Sequence, residues 1–355
     1  MQIKQIIGKA VNIQLTQPLK VTFGEIQSVE SLMIKITTDT GLIGYGEACP
    51  FEPVTGESIE TEKVALTAVS KAITGENPLC IERVHSLMDS QTVGHTALKA
   101  GIDIALYDLM GKAANLPIYQ LLGGSDNQIH TDITISIDEP RKMANEAVDY
   151  VSKGFSALKV KTGIDQQSDE EAIREILNAV GNKALVKIDA NQGWNAKQTI
   201  RILNEFQNTQ LQIVEQPLPY WQHEENKVIR SAIMQDLMLD ESVHTPSDAY
   251  QVISNGEADI VNIKLMKSAG IFGAEGINKV AEAAGIRCMI GCMAETRLGI
   301  CAAAHFAAAH QNVAFCDLDS FLMFKEPDWL SGGFTNEGGL LTLSDKPGLG
   351  MTINI

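Results

Sequence analysis

At 355 residues the chain has room for about two domains of ~150 residues each. Its 28 Lys+Arg against 44 Asp+Glu leave a formal charge of −16, which repels phosphate and argues against a nucleic-acid partner or an anionic membrane surface. With 45% hydrophobic and 20% charged residues, disorder, collagen and coiled coil are excluded as well.

The N-terminus, MQIKQIIGKAVNIQL, alternates like a strand and lacks a signal-peptide core or cleavage site. Leu32-Met33-Ile34-Lys35-Ile36 is β-rich, and Asp39-Thr40-Gly41 supplies a turn before Leu42-Ile43-Gly44-Tyr45-Gly46. Residues 58–115 read as helices. Ala97 to Ala114 sets Leu98, Ile102, Ala105, Leu106 and Leu109 on one face, and Pro117 with Gly123-Gly124 marks its exit. Strands followed by helices predict an α+β domain of about 120 residues.

From about residue 129 short β-branched runs alternate with longer helical segments. The runs are 129–137, 157–161, 184–189, 211–215, 237–240, 259–264, 287–292 and 313–317. The polar or thiol residues near their C-terminal ends are Thr134, Lys159, Asp189, Glu215, Asp240, Lys264, Cys292 and Asp317, at steps of 25, 30, 26, 25, 24, 28 and 25 residues. Seven strand–helix units and a final strand at that period predict a parallel barrel, with an open doubly wound sheet as the weaker alternative. The tail, 320–355, has turns at Ser331-Gly332-Gly333 and Lys346-Pro347-Gly348. The stretch Gly299 to Ala309 is too short to span a bilayer. Six cysteines, none in a CxxC pair, read as reduced thiols of a soluble cytoplasmic protein.

In such a barrel the chemistry sits at the C-terminal strand ends. Asp189, Glu215 and Asp240 end three consecutive strands. Carboxylates side by side repel unless a cation lies between them, and an all-oxygen set selects a hard ion, here Mg²⁺. For one acid, a solvated rim residue is the commoner role; three matched positions favour metal. Lys159 and Lys161 share a face at the end of strand two, and Lys264 ends strand six across the mouth. Lysines on opposite sides of one carbon suit a 1,1-proton transfer, one removing the proton and the other returning it to the far face. Asp317 and Asp319 share a face after strand eight, where they read either as an ammonium receptor or as a turn-forming acidic pair. A ligand with a carboxylate at one end, an ammonium at the other and a carbon acid between them fits a dipeptide.

Lys159-Val-Lys161, Asp189-Ala-Asn191, Glu215-Gln216-Pro217, Asp240-Glu241-Ser242 and Asn262-Ile-Lys264 together resemble the enolase superfamily, muconate lactonizing enzyme subgroup. Gly44 to Ala48, Leu121 to Gly124 and Lys346 to Gly350 extend the likeness over essentially the whole chain. It implies a (β/α)7β modified TIM barrel over 126–320, an α+β capping domain over 1–125 and a C-terminal segment, 321–355, returning to the cap. Asp317-Leu318-Asp319 resembles the signature of dipeptide epimerases related to L-Ala-D/L-Glu epimerase, in which the aspartates bind the substrate ammonium.

The resemblance implies that Lys161 and Lys264 are the acid/base pair, assisted by Lys159. It implies one Mg²⁺ per subunit on Asp189, Glu215 and Asp240, chelating the substrate carboxylate and stabilising an enediolate. Thr134, Asn191 and Cys292-Met293-Ala294 would contact the substrate, and a homo-oligomer stays open. The Ala-Glu epimerases carry an arginine in the first cap loop, where this chain aligns Gly24, preceded by Phe23. The expected substrate is therefore Ala followed by a small or hydrophobic residue such as Ala, Val or Met, with Phe23 and Phe51 as apolar lining. Glu25 and Glu52 leave a cationic second residue open, and Ala-containing dipeptides suggest cell-wall peptide turnover. The rivals are a lyase or cycloisomerase such as o-succinylbenzoate synthase, an N-acylamino-acid racemase, and a binding protein without turnover.

Overall fold

The computed structural model describes residues 1–21 and 24–355. The chain opens with an antiparallel sheet of β1 (Ile3–Val21), β2 (Gly24–Thr38) and β3 (Ile43–Ala48), in that order. Helices α1 (Glu52–Thr55), α2 (Ile59–Ile73), α3 (Ile81–Gln91), α4 (Thr96–Ala114) and α5 (Ile118–Leu121) follow. Ser58 and Thr61 start α2 with a reciprocal capping box.

Helix α4 is buried on two sides rather than one. Leu98, Ile102, Ala105, Leu106 and Leu109 pack into the cap core with Leu32, Ile34 and Ile36, as their spacing predicts. Ala97, Ala100, Ile104 and Tyr107 join the core that continues into the barrel. The contact of β3 with α4 is close enough to require glycine. A Cβ on Gly46 would lie 1.9 Å from the Gly101 carbonyl oxygen, and one on Gly44 2.1 Å from that of Ala105.

The second half alternates strands and helices. In order these are β4 (Gln128–His130), β5 (Ile133–Ile135), α6 (Pro140–Ser152), β6 (Ala157–Lys161), α7 (Gln166–Val180), β7 (Leu185–Asp189), α8 (Ala196–Glu205), β8 (Leu211–Glu215) and α9 (His223–Ala232). There follow β9 (Asp236–Leu239), α10 (Pro246–Ser254), β10 (Ile260–Lys264), α11 (Ile271–Ala283), β11 (Arg287–Gly291), α12 (Arg297–Ala309) and β12 (Val313–Cys316). Four short strands, β13 (Leu330–Gly332), β14 (Phe334–Glu337), β15 (Leu340–Leu343) and β16 (Met351–Ile353), complete the chain.

Strands β5 to β12 form one eight-stranded parallel sheet in sequential order, the curled sheet of a (β/α)7β barrel beside a separate antiparallel cap. The first and last strands meet through the Asp132 N–H donating to the Cys316 carbonyl at 3.1 Å. The expected run 129–137 divides in two. Gln128–His130 pairs antiparallel with β15 from the tail, and only Ile133–Ile135 enters the barrel. Among the described residues no helix is long and apolar enough to cross a membrane.

His305, on α12, lies against α5 in this interior: its Nδ1 accepts the Tyr119 N–H at 3.2 Å. Burial lowers its pKa from 6.5 to about 4. The unfolded chain therefore binds a proton that the folded one refuses, and stability falls as pH drops from 6.5 toward about 4. The loss is about 1.4 kcal/mol per pH unit in that window. Acid titrations of Tm are expected to show a shallower slope for His305→Gln than for the parent; identical slopes would contradict this assignment.

Candidate active site

Register sets the site. Lys161 pairs with Asp189 across β6 and β7, and Asp189 with Glu215 across β7 and β8, so the three side chains form one row at the strand ends. Glu215 is opposite Met238, which leaves Asp240 two residues further along, just beyond β9. Asp189, Glu215 and Asp240 are fully buried.

Lysines neutralise these acids. Lys159 Nζ, itself buried, lies 2.6 Å from Asp317 Oδ2, 2.9 Å from Glu215 Oε2 and 3.1 Å from Asp189 Oδ2. Burial works against its charge, but Asp317, Glu215 and Asp189 outweigh burial and hold its pKa well above the ordinary lysine value. Lys161 donates to Asp189 Oδ2 at 2.7 Å and to Asn191 Oδ1 at 3.1 Å. Lys264 Nζ lies 2.6 Å from Asp240 Oδ2. Burial again opposes the charge, and Asp240 overcomes it, raising the Lys264 pKa.

The donor chemistry fits Mg²⁺: three buried carboxylates on neighbouring strands, with neither nitrogen nor sulfur among them. Glu215 Oε2 and both Asp240 carboxylate oxygens are in ion-pair range of lysines yet receive no aligned hydrogen bond. The arrangement is that of lysine ion pairs. Among the described residues no group of three His, Cys, Asp or Glu side chains is gathered round a common point for a metal ion.

Lys161 and Lys264 both line a cavity of about 490 Å³ between barrel and cap. Asn191, Glu241 and Cys292-Met293-Ala294 line it from the barrel; Val29, Cys49, Phe51 and Val54 do so from the cap. Glu30, Glu52 and Glu60 add carboxylates on the cap side, and among the cap residues whose side chains are described, which leave out Lys20, no Lys or Arg joins them. Phe23 lies outside the described residues, and Gly24 opens β2, paired with Val21.

The aspartate pair is more deeply placed and is not part of that lining. Asp317 is committed to Lys159, and Asp319 Oδ2 accepts the Thr134 backbone N–H at 2.6 Å. Burial, then the neighbouring Asp317, pushes the Asp319 carboxyl up to about 6.

Several supporting residues were given no role by the sequence reading, although Gln216 and Asn262 stand in its motifs. Lys267, one turn beyond Lys264, donates to the carbonyls of Val243 at 3.0 Å and Asn262 at 3.1 Å and pairs with Asp240 Oδ1 at 2.5 Å. Asn262 Nδ2 donates to Glu215 Oε1 at 2.7 Å. Gln216 Oε1 accepts the Asp240 N–H at 2.9 Å. Lys187 and Asp132 form a buried ion pair inside the barrel. Lys187 could have been found, because a charged side chain two residues before Asp189 must share its inward face.

Comparison with known proteins places this geometry. Residues 4–123 match the model of the mandelate racemase / muconate lactonizing enzyme N-terminal domain, and residues 142–354 the enolase C-terminal domain-like model. A hydrophobic dipeptide epimerase of Enterococcus faecalis V583 is 42% identical over 99% of this chain and 100% of its own length. Its crystal structure with Mg and the dipeptide L-Leu-L-Tyr superposes with a TM-score of 0.97, covering 99% of this chain and 100% of that one. The L-Ala-D/L-Glu epimerase of Bacillus subtilis is 39% identical over 99% of this chain and 97% of its own length.

Proposed function

This chain belongs to the mandelate racemase / muconate lactonizing enzyme family of the enolase superfamily, and from that premise we propose that it is an isomerase, a Mg²⁺-dependent epimerase of dipeptides. The observation that carries the reading is that Lys161 and Lys264, from strands four apart in an eight-stranded barrel, line one cavity. The substrate is an Ala-X dipeptide inverted at the α-carbon of X.

One lysine takes the α-proton, the electron pair spreads into the adjacent carboxylate as an enediolate, and the opposite lysine delivers a proton to the other face. Lys159 holds positive charge beside the reacting carboxylate. Asp189, Glu215 and Asp240 would hold one Mg²⁺, which supplies Lewis-acid stabilisation of carboxylate charge when bound. Asp317 and Asp319 receive the N-terminal ammonium, and Thr134 keeps Asp319 in place. Asn191 and the segment 292–294 contact the substrate.

We assign X to the small or hydrophobic residues. Apolar cap side chains supply much of the cavity wall, and an acidic X would meet the carboxylates of Glu30, Glu52 and Glu60 on that side. The hydrophobic preference of the E. faecalis relative supports this. We further propose a cytoplasmic enzyme, its six cysteines all unbridged, fed by cell-wall peptide turnover.

The test is α-proton exchange in D₂O with Mg²⁺ and a panel of L-Ala and D-Ala dipeptides. Deuterium entering the second residue with loss of optical purity is the expected result. No exchange with neutral, acidic or basic dipeptides would remove the epimerase reading in favour of a lyase. Dialysis against EDTA is expected to cut turnover at least about a hundredfold, with Mg²⁺ restoring it; full activity in the dialysed enzyme would exclude the metal from the reaction.

A further inference from the structure

The cavity has two walls from distant parts of the chain, the cap loop 49–54 and the barrel segment 292–294. Two residues from each wall lies one end of a single buried contact, Glu47 on the cap side and Thr296 on the barrel side. Glu47 is the penultimate residue of β3, two positions before Cys49. Its side chain is fully buried. Oε1 accepts the Thr296 N–H at 3.0 Å and the Ser31 hydroxyl at 2.7 Å; Oε2 accepts the Thr296 hydroxyl at 2.6 Å and the Gly299 N–H at 2.9 Å. Thr296 is the N-cap of α12, so a cap-domain carboxylate satisfies free N–H groups at the start of a barrel helix. Thr296 lies two residues after Ala294. The walls also touch directly, Cys49 Sγ donating to the Ala294 carbonyl at 3.5 Å. Glycine contacts seat β3 against α4, so the Glu47 backbone has little room to follow a moving partner.

We propose that Glu47 is a positioning residue that sets the width of the side-chain cavity by locking the cap loop 49–54 to the barrel segment 292–294. The proposal rests on the cavity being the seat of the second residue's side chain. With the latch in place the walls are held at one spacing, and a large side chain meets a preformed surface. With it weakened the walls separate, and a large side chain no longer packs against both at once. Ala at X touches too little of either wall to register the change.

Asp103 offers a control at the same joint. Its Oδ1 accepts the Ile271 N–H at 2.5 Å at the start of α11, and its Oδ2 pairs with His85 at 2.7 Å. It therefore ties cap to barrel through a helix start whose neighbouring residues do not line the cavity.

The experiment measures kcat/KM for L-Ala-L-Ala and L-Ala-L-Tyr in the full-length enzyme with Mg²⁺, for the parent, Glu47→Gln, Ser31→Ala and Asp103→Asn, with Tm in parallel. Glu47→Gln keeps the shape but turns an amide NH₂ toward backbone donors. It should lower kcat/KM for Ala-Tyr about tenfold, mainly through KM, and leave Ala-Ala within about threefold. Ser31→Ala, which removes one bond, should shift the ratio in the same direction by less, and it carries the test if Glu47→Gln does not fold. Asp103→Asn should lower Tm without changing the ratio. A uniform loss on both dipeptides in Glu47→Gln, or an unchanged ratio in a folded Ser31→Ala when Glu47→Gln fails to fold, would make Glu47 a structural residue only and overturn the proposal. A parent enzyme that epimerises neither dipeptide would instead defeat the functional reading beneath it.

Discussion

Replacing Lys161 with alanine is expected to abolish epimerisation, by about 10³-fold or more, while leaving α-proton exchange of one stereoisomer of the substrate. A positioned acid or base contributes ~10²–10⁴-fold, and inversion needs both. With Lys161 removed, Lys264 can still exchange the proton on its own face and return it there, so deuterium enters without inversion. Lys264→Ala should exchange the opposite stereoisomer. This reciprocity separates two bases from one base with a bystander. Both lysines stand beside carboxylates, Lys161 at Asp189 and Lys264 at Asp240, so truncation also leaves a buried acid short of a partner. Tm must accordingly be recorded for each variant. Retained turnover in either variant, or exchange of the same stereoisomer by both, would refute the two-base mechanism.

The second large effect is expected from Asp319→Asn. The amide can keep an oxygen toward the Thr134 N–H, so the change removes charge rather than the local bond. Losing one member of a desolvated ammonium–carboxylate pair costs roughly 3 kcal/mol, a fall of about 10²-fold in kcat/KM. Chemistry on the far side of the substrate is untouched, so the loss should lie in KM. The Asp319 carboxyl titrates at about 6, and only its ionised form attracts an ammonium. In the parent enzyme KM should therefore rise as pH falls through about 6, and in Asp319→Asn that limb should vanish. A lyase or cycloisomerase, whose substrates carry no ammonium, would tolerate the substitution; an unaltered KM for Ala-X dipeptides would remove Asp319 from substrate binding.

The barrel was legible in the sequence because its information is local and repeated. Each strand is a short β-branched run ending in a polar side chain, and seven of the eight predicted runs match the observed strands to within one residue at either end. Asp189, Glu215 and Lys161 could be grouped because strand register carries the same spacing. What escaped depends on partners far along the chain. Gln128–His130 looked continuous with β5, but its ladder partner is in the tail, more than two hundred residues away. Glu47 and Asp103 reach helix starts in the other half of the molecule, and nothing in the sequence near either of them announces it. The crowding at the site was equally hidden: composition shows acids and lysines in plenty, but only the folded chain brings Lys159 against three carboxylates at once.

The cap loop and the barrel ends have separate histories open to them. The lysines proposed for proton transfer lie on barrel strands, whereas Val29, Phe51 and Val54, which line the cavity from the cap, belong to a different sheet and loop. On the proposed function, a substitution at Phe51 would change what the enzyme admits without touching a lysine, so the diet could be altered while the reaction persists. Two relatives of this chain are named for different substrates, one for hydrophobic dipeptides and one for L-Ala-D/L-Glu. The joint between the two parts, Glu47 on the start of α12, lies outside the cavity lining, so a change of meal would leave it in place.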